Sequence, residues 1–102
     1  MTIKKQFLKS RPECKVKFRV TKDRAGGAQN VHLVGDFNDW DTEATPMKAL
    51  KSGDFTTTLG LDLDQEYEFR YLLDGKRWLN DQTADKLVPT PYPNVQNSVI
   101  VT

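Results

Sequence analysis

The sequence predicts an all-β chain folded as an immunoglobulin-like sandwich of two antiparallel sheets, and three observations carry that expectation. Apolar and polar residues alternate with period two over several segments, turn-forming residues separate those segments at short intervals, and no segment sustains the periodicity of a helix. Six to eight short strands are expected in all. With 102 residues, 37% of them hydrophobic and 10% aromatic, the chain has the length and apolar content of one folded domain.

Taken in order, residues 1–13 form a strongly basic segment with scattered apolar positions at Ile3, Phe7 and Leu8. They are expected to lie along the domain as an arm, with the sandwich occupying residues 14–102. Clear order begins where Val16, Phe18 and Val20 alternate with Lys17, Arg19 and Thr21, the pattern of a strand with one buried face. Ala25-Gly26-Gly27-Ala28 reads as a turn, and Val31 and Leu33 resume the alternation with His32 on the opposite side. That strand ends in Gly35-Asp36-Phe37-Asn38-Asp39-Trp40, where Gly35 is expected to leave the sheet by taking a positive φ, and the Asp and Asn side chains can bond back to their own backbone. Of the two aromatics here, one is expected to plug the core and the other to face out.

Pro46 confines Met47–Leu50 to a short or edge strand, and Ser52-Gly53-Asp54 turns the chain. Phe55, Thr57, Leu59 and Leu61 define the next strand. The strongest pattern follows, with Tyr67, Phe69, Tyr71 and Leu73 on one face and Glu66, Glu68, Arg70 and Leu72 on the other. Asp74-Gly75 suits a type I′ turn, so Lys76–Asn80 should fold back beside that strand and carry Trp78. Residues 81–94 are turn-rich, with Pro89, Pro91 and Pro93 stiffening a surface loop, and Val95–Val101 is the final strand.

Charge and composition narrow the function. The net charge is +1, but residues 1–24 hold nine basic and two acidic side chains, a net +7, while the remainder carries −6. Such a distribution fits either an arm that touches an anionic partner or the solvated face of a strand bearing Lys15, Lys17 and Arg19, and the alternation favours the strand. A single cysteine, Cys14, and a single histidine, His32, can build neither a disulfide framework nor a Cys/His zinc site within one chain. No apolar run is long enough to span a membrane and the N-terminus lacks a signal-peptide pattern, so a cytoplasmic protein with no membrane partner is expected. Asp36, Asp39 and Asp41 lie close enough in sequence for paired-carboxylate hydrolysis, but on a tight loop they read as turn formers. Without a nucleophile–histidine pair or a phosphate-cradling loop, no enzyme activity and no cofactor are expected.

The run Val31–Trp40, followed by Pro46-Met47, by Tyr67–Gly75 with Trp78, and by Asn97-Ser98-Val99, resembles a glycogen-binding module. It is similar to the early-set carbohydrate-binding domain at the N-termini of isoamylases and glycogen-branching enzymes and in the β subunit of AMP-activated protein kinase. The resemblance covers about Cys14–Thr102. It implies noncatalytic binding of an α-1,4-glucan, a glycogen- or starch-like polysaccharide or a maltooligosaccharide, by two tryptophan platforms, a basic residue on the strand before the Asp-Gly turn, and polar groups on the last loop. By position these are Trp40, Trp78 and Arg70, with Gln96, Asn94 and Tyr92 on the last loop; Gln96 stands where the kinase domains have a sugar-contacting asparagine, and Asn97 matches the next position.

Physical chemistry supports the same trio. The C–H face of a pyranose can lie on an indole without desolvating the hydroxyls at its rim, and Arg70, turned outward by strand alternation, offers hydrogen-bond donors in a fixed fork. Each residue has a plainer alternative, since Trp78 could cover a sheet edge and Arg70 could pair with Glu66 or Glu68. A rival to sugar binding is a sandwich that docks a glycogen-metabolising enzyme in trans, with weak or no sugar binding. An oligonucleotide-binding barrel ranks last, and no nucleic acid partner is expected, because the basic residues and the exposed aromatics lie in different parts of the chain.

Overall fold

The computed structural model describes residues 1–102. Nine strands form two sheets with antiparallel pairing throughout. The first sheet contains β1 (Thr2–Phe7), β2 (Glu13–Val20), β4 (Lys48–Ala49) and β5 (Phe55–Asp62), in the order β1-β2-β5-β4. The second runs β3 (Val31–Gly35), β6 (Glu66–Leu73), β9 (Gln96–Val101) and β8 (Lys86–Pro89), with β7 (Arg77–Leu79) pairing the C-terminal half of β6. This is the expected all-β, immunoglobulin-like sandwich.

The sheets meet through the alternating residues picked out in the sequence. Val16, Phe18 and Val20 of β2 face Phe69, Tyr71 and Leu73 of β6, and the Phe18 and Phe69 rings lock edge to face at 5.3 Å between centroids. Phe37 joins them, 6.1 Å from Phe18 and 6.3 Å from Phe69. It is therefore Phe37, of the two loop aromatics, that plugs the core. The Tyr71 hydroxyl is buried too, and donates at 2.6 Å to the buried Asp81, whose other oxygen accepts from the Thr83 backbone and hydroxyl. Burial and the neighbouring Asp81 charge push the Tyr71 phenol well above its ordinary value.

Four expectations are corrected. The basic N-terminal segment is not an arm: Thr2–Phe7 pairs with β2 from Thr2↔Arg19 to Phe7↔Cys14, and Ile3 packs against the core. Its apolar positions are too sparse to read as a strand alone, and it becomes one because β2 has a free edge. Before the Gly26-Gly27 turn, Lys22–Ala25 makes a single helical turn, α1, closed by Gly26 at φ 56°. Within the proline-rich stretch, Lys86–Pro89 forms β8, an edge strand that Pro89 can end without losing a ladder bond.

The fourth correction concerns Gly35, whose φ of −175° is ordinary extended backbone. Glycine is required there by close approach instead. A Cβ would lie 2.5 Å from the Glu68 carbonyl oxygen and 2.7 Å from the Phe69 Cβ. Asp74 and Gly75, in contrast, both take positive φ, and the Lys76 N–H bonds the Leu73 carbonyl, as a type I′ turn requires.

Two predictions follow from these contacts. Gly35→Ala should lower stability by about 2 kcal/mol through overpacking against β6, read as a fall in the urea midpoint at unchanged slope. The second concerns Asp54, whose Oδ2 accepts from Arg19 Nε at 2.9 Å and Nη2 at 2.7 Å while its Oδ1 accepts the Lys22 N–H at 2.8 Å. The Arg19 hydrogen bonds, then the Lys22 amide, hold its carboxyl below the ordinary 3.8. A depressed folded-state value means the stabilisation is complete above that ordinary value and is lost as pH falls beneath it. The stability difference between wild type and Asp54→Asn should therefore shrink as a urea series is carried from neutral pH into strong acid.

Candidate functional site

In three strands of the second sheet the alternation is broken by paired apolar residues: Leu33-Val34, Leu72-Leu73 and Val99-Ile100. One member of each pair enters the core, while Val34, Leu72 and Val99 point to the outer face and are nonetheless at most 5% exposed. Their cover comes from the residues placed beside them, since Val34 pairs with Arg70 and Leu72 with Trp78. A second, thin apolar layer thus lies on the outside of the sandwich.

Arg70 is the centre of that cover. Its guanidinium carbon sits 4.5 Å from the Trp78 ring centroid and 5.9 Å from that of Trp40, so the structure brings together the three residues singled out in the sequence. Both expected carboxylate partners are engaged elsewhere. Glu68 Oε1 accepts from Asn97 Nδ2 at 3.1 Å, and Glu66 pairs with Lys86. Arg70 forms no ion pair, its Nε is buried without a hydrogen-bond partner, and burial lowers its guanidinium below the ordinary value. It remains charged, because an arginine stays protonated throughout the working pH range.

Trp40 is delivered to this face by unusual backbone. Asp39 and Trp40 take φ of 56° and 57°, the left-handed region that costs a non-glycine residue about 1 kcal/mol or more. The turn is held by Asn38, whose Nδ2 donates to the Leu33 carbonyl and the Thr45 hydroxyl, both at 2.9 Å, while its Oδ1 accepts the Gly35 N–H at 3.0 Å. The Trp40 N–H returns to the Gly35 carbonyl at 2.9 Å. Asp36 then fixes the ring: Oδ1 accepts the indole N–H at 2.9 Å and Oδ2 accepts the Glu68 backbone N–H at 2.8 Å. Trp40 ends half-buried and Trp78 43% exposed, so both indoles have accessible surface.

Tyr92, Asn94 and Gln96 fall in a neighbouring place. All three line a shallow groove formed by residues of the 89–96 segment, where Tyr92 is 72% exposed. The Asn80 side chain donates to the Gln96 carbonyl at 2.9 Å, tying this segment to the chain just after Trp78. On β9 it is Asn97 that shares the outer face with Glu68, and strand alternation turns Gln96 away from the face of Arg70. Asn97 is buried with its Oδ1 unpaired. Asn38 bonds the local backbone as the sequence led one to expect, whereas the bonds of Asp36 to the Trp40 indole and the Glu68 amide, and the parts of Glu68 and Asn97, were missed; the doubled apolar pairs were the available signal that this sheet is covered on both faces.

An open aromatic strip laid across the outside of a sheet is the construction of a surface-binding module. A family model described as carbohydrate-binding module 48 (isoamylase N-terminal domain) matches residues 9–92, and the chain belongs to that family. The search of curated proteins found no match. No helix is long and apolar enough to cross a membrane.

The geometry makes Asp36 a testable support. Asp36→Ala removes the acceptor of the indole N–H and leaves the Glu68 amide unpaired, and should cost about 1–3 kcal/mol. Time-resolved fluorescence anisotropy, in a Trp78→Phe background so that only Trp40 reports, should show the indole moving faster in the variant.

Proposed function

We propose that the chain is a noncatalytic module that binds α-1,4-glucan, as glycogen- or starch-like polysaccharide or as maltooligosaccharide, with Trp40 and Trp78 as stacking platforms and Arg70 between them as hydrogen-bond donor. The observation that carries this reading is the guanidinium standing between two indoles with no carboxylate to satisfy it. A neutral sugar suits such a site. Its hydroxyls can accept from the outward guanidinium nitrogens, while its C–H faces cover the indoles and remove apolar surface from water. Membership of a carbohydrate-binding family supports the ligand class, and the glucan itself is our inference from the sequence motifs.

In this proposal a longer glucan leaves the tryptophan platform and continues along the groove of Tyr92, Asn94 and Gln96, where the amides and the phenol supply further polar contacts. The platform is open and its side chains are prearranged by Asp36 and by the apolar layer beneath, so binding orders little of the protein.

The test is direct. Burying roughly 50 Å² of sugar C–H surface on each indole is worth about 1 kcal/mol, so Trp40→Ala and Trp78→Ala should each weaken maltooligosaccharide binding about fivefold. Wild type should be retarded in a glycogen-containing native gel and the double variant should not. Arg70→Lys keeps the charge but loses the planar fork, and should bind more weakly than wild type. Tryptophan fluorescence that fails to respond to millimolar oligosaccharide would defeat the proposal and favour a sandwich whose partner is an enzyme rather than a sugar.

A further inference from the structure

The strong positive charge of the first 24 residues plays no part in the tryptophan face. In the folded chain four of its nine basic residues, Lys4, Lys15, Lys17 and Arg19, take outward positions on the first sheet, on the opposite side of the sandwich. Lys4 of β1 stands directly across from Lys17 of β2, which stands across from Thr58 of β5; in the next row Gln6 faces Lys15, which faces Gly60. Lys4, Gln6, Lys15, Lys17 and Thr58, with Lys5 whose register partner Val16 is a core residue, line a shallow groove of about 350 Å³ that contains no hydrophobic residue.

Lys4, Lys15 and Lys17 have no ion-pair partner, whereas Lys5 is held by Asp85 at 2.8 Å and Arg19, further along β2, is neutralised by Asp54. Like charges directly opposite on neighbouring strands are destabilising, and the Lys4–Lys17 pair has no carboxylate bound to it. Cross-strand neighbours lie roughly 5 Å apart, so the flexible stems of Lys4 and Lys17 can converge on one anion. The Thr58 hydroxyl and the Gln6 amide add neutral donors, while the next hydroxyl on β5, that of Thr56, is already given to the Phe18 carbonyl.

The ends of the groove limit its ligand. At the Lys15 end the Glu13 carboxylate, paired with Arg11, lies over Gly60 directly across from Lys15 and closes the groove, with Asp62 opposite Glu13 in the row beyond. Beyond Lys17 comes the Arg19–Asp54 pair. Two rows of donors along the strands span roughly 7 Å, room for two or three linked phosphoryl groups. Protein interfaces are depleted in lysine and centred on apolar or aromatic anchors, single-stranded nucleic acid needs stacking platforms, and membrane insertion needs apolar side chains; this groove has none of these.

We propose that the groove of Lys4, Gln6, Lys15, Lys17 and Thr58 is an anion site for a small oligophosphate ligand, on the face opposite the tryptophans. It stands independently of the glucan reading, because it shares no residue with that site. Inorganic tripolyphosphate, titrated into the full chain at low ionic strength, should shift the amide resonances of these five residues and leave those of Trp40 and Trp78 in place. Lys17→Gln should weaken binding about tenfold, as loss of a charge-assisted hydrogen bond does. Its melting temperature should be no lower than that of wild type, because the Lys4–Lys17 repulsion is relieved, so weaker binding cannot be ascribed to unfolding. Tripolyphosphate should raise the melting temperature of wild type and not that of Lys4→Gln/Lys17→Gln. The proposal is overturned if no resonance shifts at millimolar ligand, if shifts spread over all lysines alike, or if oligoglutamate or duplex DNA binds as tightly as tripolyphosphate, since any of the last three would make the face a general cationic surface.

Discussion

The carboxylate of Asp36 joins the two parts of the tryptophan site. One oxygen accepts the indole N–H of Trp40 and the other accepts the Glu68 amide on β6, the strand that carries Arg70 two residues further on. Through this single group the loop that presents Trp40 is registered against the strand that carries Arg70. Asn38 makes it possible by stitching Leu33, Gly35 and Thr45 around the turn and so holding two consecutive non-glycine residues in left-handed backbone. Hydrogen bonds to a carboxylate are stronger than neutral ones, and a turn bound at this many points can retain local strain that an open loop would release.

The two sheets have different outer faces. That of β3-β6-β9 has a thin apolar layer, Val34, Leu72 and Val99, which must be covered and is covered by side chains with chemistry of their own. Desolvation of Arg70 follows from that arrangement: a guanidinium resting on two indoles above aliphatic side chains has less water around it, and its interactions with a ligand are strengthened by the lower local dielectric. The outer face of β1-β2-β5 has no such layer, and its lysines and threonines stand in solvent. The sandwich core lies between the two faces, and they share no residue.

Much of this was legible in the residues. Alternation in β2 and β5, and in β6 as far as Tyr71, has one solution, a strand with one face in the core, and the Asp74-Gly75 turn placed Trp78 beside Leu72. The trio of Trp40, Arg70 and Trp78 could be named because the runs Val31–Trp40 and Tyr67–Gly75 with Trp78 resemble a glycogen-binding module, and strand alternation turned Arg70 outward. Apart from the local helical turn at Lys22–Ala25, the misreadings share a cause. Thr2–Phe7 is a strand only because β2 offers it an edge, Gly35 is a glycine only because β6 passes so close, and Lys86–Pro89 is ordered only by β9. Each is a consequence of contact between segments distant in sequence.

By itself, then, the sequence determined the fold class and the core faces of the main strands, since periodicity two and turn chemistry are local properties of the chain, while Trp40, Arg70 and Trp78 were singled out through a resemblance. Tertiary structure decided what those side chains are free to do. Glu68 and Glu66 were available to Arg70 on paper, and both are taken, by Asn97 and Lys86, once β9 and β8 pair alongside β6. Which carboxylate finds which cation depends on strand neighbours, and strand neighbours are settled only when the sheets assemble.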